Sequence, residues 1–292
     1  MFDFIVTLVF FASMEVVSKP LLGSIDPLTL TFWRFAAGAL VLFAILVRRR
    51  GLQSLRVLQG GTVALLFLMG AVNIALAMSL LQTAVKLTSA ARAATVFCAN
   101  PVLVFVISAV SGTEKANVSK VLGLLAGLAG LVIVSGLYTL TIDTGTVYAL
   151  LAAAAFALYT VLGKRVSGKT DPVTINVVSF AAGLIVLFAF LAATGRPLSP
   201  APLVASPGAA AAAVYLTLGV SGLAYLTFIR AIRRMGAVAA SMVFMLKPAV
   251  ASLLAMAFLG EVLTPSFWAG LALTSLGSYL VMRGGRQFSS ER

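Results

Sequence analysis

Three ionisable side chains stand inside long apolar runs: Glu15, Arg34 and Lys247. A charge within hydrocarbon is costly, and where one occurs it usually binds, couples or pairs. Lys247 is the most isolated. In "SMVFMLKPAVASLL" no other charged residue lies within ten positions on either side. A lone ammonium in such a place suits the reception of a carboxylate. Covalent catalysis is a poor fit. The chain has no histidine, one cysteine (Cys98, in an apolar run) and no pair of acidic residues within a span. A nucleophile–base couple or a Cys/His metal cluster has no parts to work with. The sequence therefore predicts no enzyme, no catalytic residues, no metal and no cofactor.

The elements that hold these residues are membrane helices. Of 292 residues, 61% are hydrophobic and 10% charged, where a soluble domain carries about 25% charged. Ten apolar runs follow one another, at about 3–20, 27–47, 60–83, 89–112, 118–139, 146–163, 172–194, 207–229, 236–259 and 265–282. Each is ~18–25 residues, enough to cross a ~30 Å hydrocarbon core at ~1.5 Å per residue. In lipid the backbone must satisfy itself, so the predicted class is an all-α integral membrane protein with ten transmembrane helices. Turn-forming stretches such as "GSIDP", "SGTEKAN" and "SGKTDP" separate the runs. The N-terminus has neither a basic n-region nor an A-x-A-like site, so no cleavable signal peptide is expected.

A net charge of +13 first suggests nucleic acid, but the basic residues lie mostly between the apolar runs. Fifteen of the 21 Lys and Arg fall in one set of alternate connections, among them Arg48, Arg49 and Arg50. The other set has four: Lys19, Lys86, Arg92 and Arg196. This is the positive-inside bias, and it predicts both termini on the cytoplasmic side. The bilayer, not nucleic acid, is the expected partner of the charge.

The chain also repeats itself. Residues 19–46 and 164–191 are identical at 14 of 28 positions, including Asp26-Pro27 against Asp171-Pro172 and Gly38 against Gly183. Further on the offset changes from 145 to 147. Ala90, Phe97, Pro101, Glu114, Gly123 and Gly130 then align with Ala237, Phe244, Pro248, Glu261, Gly270 and Gly277. Two repeats of five helices, 1–142 and 143–292, are predicted. Five is odd, so the second half must enter the membrane inverted. The connection "RRRGLQSLR" has as its counterpart "TGRPLSPAPLVASPG", with one positive charge, as inversion requires. Inverted repeats around a central cavity, with substrate near mid-depth, are a transporter architecture.

The repeat selects the candidate site. Lys247 is central in the ninth span, and its equivalent Asn100 is central in the fourth; each precedes a proline. A proline removes a backbone donor and tends to free the carbonyl four residues earlier, here those of Phe97 and Phe244. Lys247 is read as the receptor of a substrate carboxylate, with Asn100 giving neutral hydrogen bonds and Phe97 and Phe244 giving aromatic surface. The competing reading makes Lys247 a structural partner of Glu15 or of the freed carbonyls, and the phenylalanines plain packing. Asn73, central in the third span, and the equivalent pairs Met14/Tyr159 and Met78/Tyr225 are weaker lining candidates for a pocket taking varied side chains. Glu15 and Arg34 lie at similar depth on either side of a short turn. They form a structural ion pair, or Arg34 snorkels and Glu15 couples protons. Glu114 and Glu261 are read as carboxylates at helix starts. The small run Gly123, Ala126, Gly127 and Gly130 serves close packing inside the chain or in a homodimer; the sequence leaves that open.

On the two five-helix halves and the segments "SGTEKANVSKVLGLLAGLAGLVIV" and "LGEVLTPSFWAGLALTSLGSYLV", the chain resembles the drug/metabolite transporter superfamily, in its ten-helix EamA branch. The first segment departs from the pattern, with Thr113 before its Glu. The whole also resembles bacterial exporters of aromatic and other neutral amino acids. That resemblance implies export of amino acids across the inner membrane by alternating access. A sugar-phosphate or nucleotide-sugar carrier, an exporter of other drugs or metabolites, and a non-transporting scaffold are the alternatives. Doubly charged phosphate would ask for more than one free cation at the site.

Overall fold

The computed structural model describes residues 1–51, 53–56, 58–135, 142–259 and 265–286. Among them the regular structure is helical throughout, with no strand. The long helices are α1 (Phe2–Leu21), α2 (Pro27–Arg50), α3 (Gly60–Leu87), α4 (Ala90–Val110), α5 (Val118–Ser135), α6 (Thr144–Ser167), α7 (Pro172–Ala193), α8 (Pro207–Met235), α9 (Ala237–Leu259) and α10 (Pro265–Arg286). Seven are long and apolar enough to cross a membrane, and α5 and α9 add the shorter apolar stretches Val118–Val134 and Ala237–Val250. Large apolar side chains such as Val16, Leu40, Leu125 and Ile185 point outward and exposed. In water they would be a liability; in lipid they meet their own solvent. Glu261, with Gly260 before it, lies outside the described residues.

Local chemistry explains the helix starts. Asp26 accepts from the Leu28 and Thr29 amides at 2.9 and 3.3 Å, and Asp171 from the Val173 and Thr174 amides at 3.1 and 3.3 Å. A proline follows each as the first helical residue, where its missing N–H costs nothing. Asp143 caps α6 in the same way through Thr146.

Two helices carry wide turns that apolar periodicity does not reveal. Ala71–Met78 in α3 and Tyr215–Ala224 in α8 are π-helical, a form concentrated at functional positions. The two stretches overlap at the 147-residue offset. The two proline-bearing helices behave differently. α4 breaks at Cys98 and Ala99, between Ala90–Phe97 and Asn100–Val110, whereas α9 runs through Pro248. α8 extends to Met235, past the expected end at 229, because Asp3 of α1 pairs with Arg234 at 2.6 Å and approaches Arg230 at 4.0 Å.

Packing places the core between α1, α3, α4, α6, α8 and α9. α1 lies on α8 and α9, α6 on α3 and α4, and α2 on α7. To one side α5 packs along α10 with almost no space between backbones. A Cβ on Gly123 would stand 2.7 Å from the Gly277 carbonyl oxygen, and one on Gly130 2.6 Å from that of Gly270. The small-residue run thus serves packing within the chain. Glu114 also differs from expectation. It caps not α5 but α9, accepting from the Ala237 amide and, at 3.4 Å, the Val238 amide, while Lys120 holds its other oxygen at 2.9 Å.

Candidate functional site

Helical spacing gathers the site. α1 turns Phe11, Met14 and Glu15 to one side at i, i+3, i+4; α9 does so with Phe244 and Lys247, α6 with Phe156 and Tyr159, and α8 with Tyr225 and Phe228. The Lys247 ammonium meets Glu15 Oε1 at 2.5 Å. Both are sealed from solvent, at 2% and 0% exposure. Lys247 Nζ also lies 5.6 Å from the centre of the Phe97 ring and 5.9 Å from that of Phe244, within cation–π reach.

Around this pair the rings form a continuous cage. Phe11 stacks on Phe244 at 5.6 Å. Phe156 meets Phe97, Phe244 and Phe228 at 5.5, 5.3 and 5.7 Å. A cavity of about 10 Å³, room for one water, is bounded by Lys247, Met14, Met78, Phe97, Phe244 and Tyr225, together with Phe11, Leu81 and Phe156. Two larger recesses open elsewhere: about 780 Å³ among Arg49, Arg230, Arg233 and Arg234, and about 710 Å³ between α2, α3, α6 and α7. Neither is lined by Glu15, Arg34 or Lys247.

Four expected lining residues, Asn100, Asn73, Tyr159 and Tyr225, add polar groups beside the cage. Asn100 donates from Nδ2 to the Ala153 carbonyl at 2.8 Å, and its Oδ1 has no partner. Tyr225 donates from its hydroxyl to Asn73 Oδ1 at 3.2 Å. Tyr159 packs its ring 5.1 Å from Phe156 and 6.0 Å from Tyr225, with its hydroxyl unpartnered.

The charges pair differently from the hairpin expectation. Glu15 pairs with Lys247, not with Arg34, because α1 turns this face onto α9. Arg34 is 2% exposed, and none of its three guanidinium nitrogens has a hydrogen-bond partner among the described residues. Its guanidinium carbon sits 4.7 Å from the Phe35 ring centre. Glu15 Oε2 is likewise unpartnered, as are both amide atoms of Gln82.

Phe11, Phe156, Leu81 and Phe228 were absent from the sequence-based set. The repeat offsets would have found them: Phe11 plus 145 is Phe156, and Leu81 plus 147 is Phe228. At the face opposite the arginine-rich ends, Asp143 ties α6 to the start of α4. It meets Arg92 at 2.7 Å and Thr88 at 3.2 Å. The Thr146 amide bond is the main cause that lowers its pKa to about 2, helped by the Thr146 hydroxyl, Arg92 and Thr88.

Comparison with known proteins follows the same lines. The EamA-like transporter family matches this chain twice, over residues 2–136 and 143–283. A transporter of Clostridium kluyveri, described as uncharacterized, is 29% identical over 94% of this chain and 90% of its own length. One from Archaeoglobus fulgidus, described alike, is 28% identical over 94% of each. A Bacillus subtilis protein, the uncharacterized transporter YyaM, is 26% identical over 82% of this chain and 80% of its own. A solved crystal structure superposes with a TM-score of 0.77 at 20% identity, over 98% of this chain and 97% of that one; this likeness concerns the fold. The chain is a multi-pass membrane protein and belongs to the EamA-like transporter family.

Proposed function

We propose that this protein is a secondary transporter that exports small amino-acid-like metabolites, aromatic and other neutral amino acids, by alternating access. The observation that carries this reading is the Lys247–Glu15 pair sealed inside an aromatic cage. A substrate carboxylate takes Lys247 from Glu15. The apolar or aromatic side chain of the substrate lies against Phe11, Phe97, Phe156 and Phe244. Asn100 Oδ1, one turn from Phe97, accepts from the substrate amino group. The cavity around Lys247 is far smaller than an amino acid, so the rings must part for loading. The π turns of α3 and α8, with their looser hydrogen bonding, are the places to bend.

Two inverted halves, 1–142 and 143–292, support the alternation. Their packing is reciprocal: Gly123 faces Gly277 while Gly130 faces Gly270, contacts that exchange under the 147-residue offset. The charge bias supports cytoplasmic termini, and the resemblance to bacterial exporters supports the inner (plasma) membrane. A sugar-phosphate or nucleotide-sugar carrier is the second reading, because Arg34 is a free second cation. The cavity favours the first, since it reaches Lys247 and not Arg34 and its other walls are apolar or aromatic.

Counterflow in proteoliposomes with a panel of neutral amino acids tests this. Aromatic amino acids should exchange, and Lys247→Met should bring exchange to the level of protein-free vesicles. Flux of phosphorylated sugars in place of amino acids, or near-normal flux in Lys247→Met, would overturn it.

A further inference from the structure

Arg34 is the largest unexplained polar group in the core. Its five N–H donors are held away from water with no acceptor among the described residues, and burial of an unpaired charge is among the costliest arrangements a fold can retain. The cavity beside Lys247 does not reach Arg34, so a ligand seated in it supplies no acceptor for Arg34. Glu15 has a buried carboxylate oxygen, Oε2, with no partner among the described residues. The two lie at matching depth. Glu15 is six residues before the end of α1 at Leu21, and Arg34 is seven after the start of α2 at Pro27. Gln82, with both amide atoms unpartnered, is five residues before the end of α3 at Leu87, on the same side of the membrane.

We propose that Arg34 is the second partner of Glu15, and that Glu15 moves from Lys247 to Arg34 when a carboxylate occupies Lys247. This rests on the reading of Lys247 as the carboxylate receptor. The charges support it. In this conformation two buried cations are matched by one buried carboxylate, whose Oε1 is on Lys247 and whose Oε2 has no partner among the described residues. A substrate carboxylate makes two carboxylates for the two side-chain cations, each cation with a partner, while the substrate ammonium goes to Asn100 Oδ1. The free Oε2 of Glu15 is the atom that Arg34 receives, and Gln82 Nε2 supplies a further donor to the displaced carboxylate. Arg34 is therefore a positioning residue. It never touches substrate, but it gives Glu15 a place to go. No proton need leave the protein for the exchange to occur.

The test is binding of radiolabelled phenylalanine together with thermal unfolding, in purified full-length protein. Arg34→Met should weaken binding by about tenfold or more, while the variant melts no lower than wild type without ligand, because the removed group had no partner. Arg34→Lys should restore most of the binding. In a Glu15→Gln background, which has no carboxylate to relocate, Arg34→Met should have no further effect. Arg34→Met that melts well below wild type shows a structural arginine and overturns the exchange. So does binding within twofold of wild type, or an unchanged loss in the Glu15→Gln background. A wild-type protein that binds no neutral amino acid removes the Lys247 reading itself, and the exchange with it.

Discussion

The fourth and ninth helices carry similar residues in the same order and are built differently. Both keep a phenylalanine, a central polar residue and a proline in the same order. In α4 the chain breaks before Asn100, and Asn100 reaches the backbone of α6 by a single 2.8 Å hydrogen bond. In α9 the helix runs on through its proline, and Lys247 reaches Glu15 of α1. The helices they reach, α1 and α6, are themselves equivalents, at an offset of 145. One arm of the site is thus neutral and interrupted, and the other charged and continuous. A contact made by a single neutral hydrogen bond can be given up at small cost. A contact held by a buried ion pair is given up only when another charge takes the place of the partner.

The sharpest way to break this comparison is to remove one half of the charged arm. Glu15→Gln or Lys247→Met alone leaves the opposite charge buried, a change that costs about 3–5 kcal/mol. The double variant leaves no orphan from this pair and should recover most of the lost stability while remaining without flux. Thermal unfolding of the four proteins, with counterflow on each, reads both quantities. If the two single losses simply add, the pair is not the unit that holds α9 to α1.

Much of this was legible in the sequence, and the failures have physical causes. Helix starts at Pro27 and Pro172 follow from an aspartate and a proline read together. The central place of Lys247 follows from span length. The partner of Glu15 does not, because neighbours in a hairpin look like natural partners while the actual partner is 232 residues away. Which of two cations a carboxylate meets depends on the rotation of α1 about its axis, and its polar residues (Asp3, Thr7, Ser13, Glu15, Ser18 and Lys19) spread over too wide a face to fix that rotation. The π turns in α3 and α8 were invisible for a related reason: in helices apolar on all sides, a shift in period leaves no trace. The cage residues Phe11 and Phe156 were readable from the repeat, since both copies kept the same aromatic residue.

The neutral arm should respond more gently. Asn100→Ala removes the 2.8 Å bond to the Ala153 carbonyl, which keeps its own place in the helix ladder, for a loss of about 0.5–1.5 kcal/mol. Flux should fall by several-fold and not vanish, since Lys247 still receives the carboxylate. A variant as inactive as Lys247→Met would show that the two arms carry equal weight and would end the distinction drawn between them.

The smallest effect is expected where the two helices begin. Glu114 ties the start of α9 to the turn after α4, with Glu114 and Lys120 largely buried. Asp143 ties the start of α4 to α6, with Asp143 and Arg92 more than a third exposed. Its pKa is lowered from the usual carboxylate range to about 2, first by the Thr146 amide. A depressed carboxylate contributes stability that is fully present above its unfolded pKa, about 3.9, and is lost as pH falls through about 2. Asp143→Asn should therefore lower the melting temperature slightly at neutral pH. The difference from wild type should begin to close below pH about 4 and be gone near pH 2. Melting curves of the two proteins from pH 7 to pH 2 measure it. A difference that grows on acidification would mean that the protonated form of Asp143 is the one that holds α4, and that its charged contact with Arg92 is not the latch.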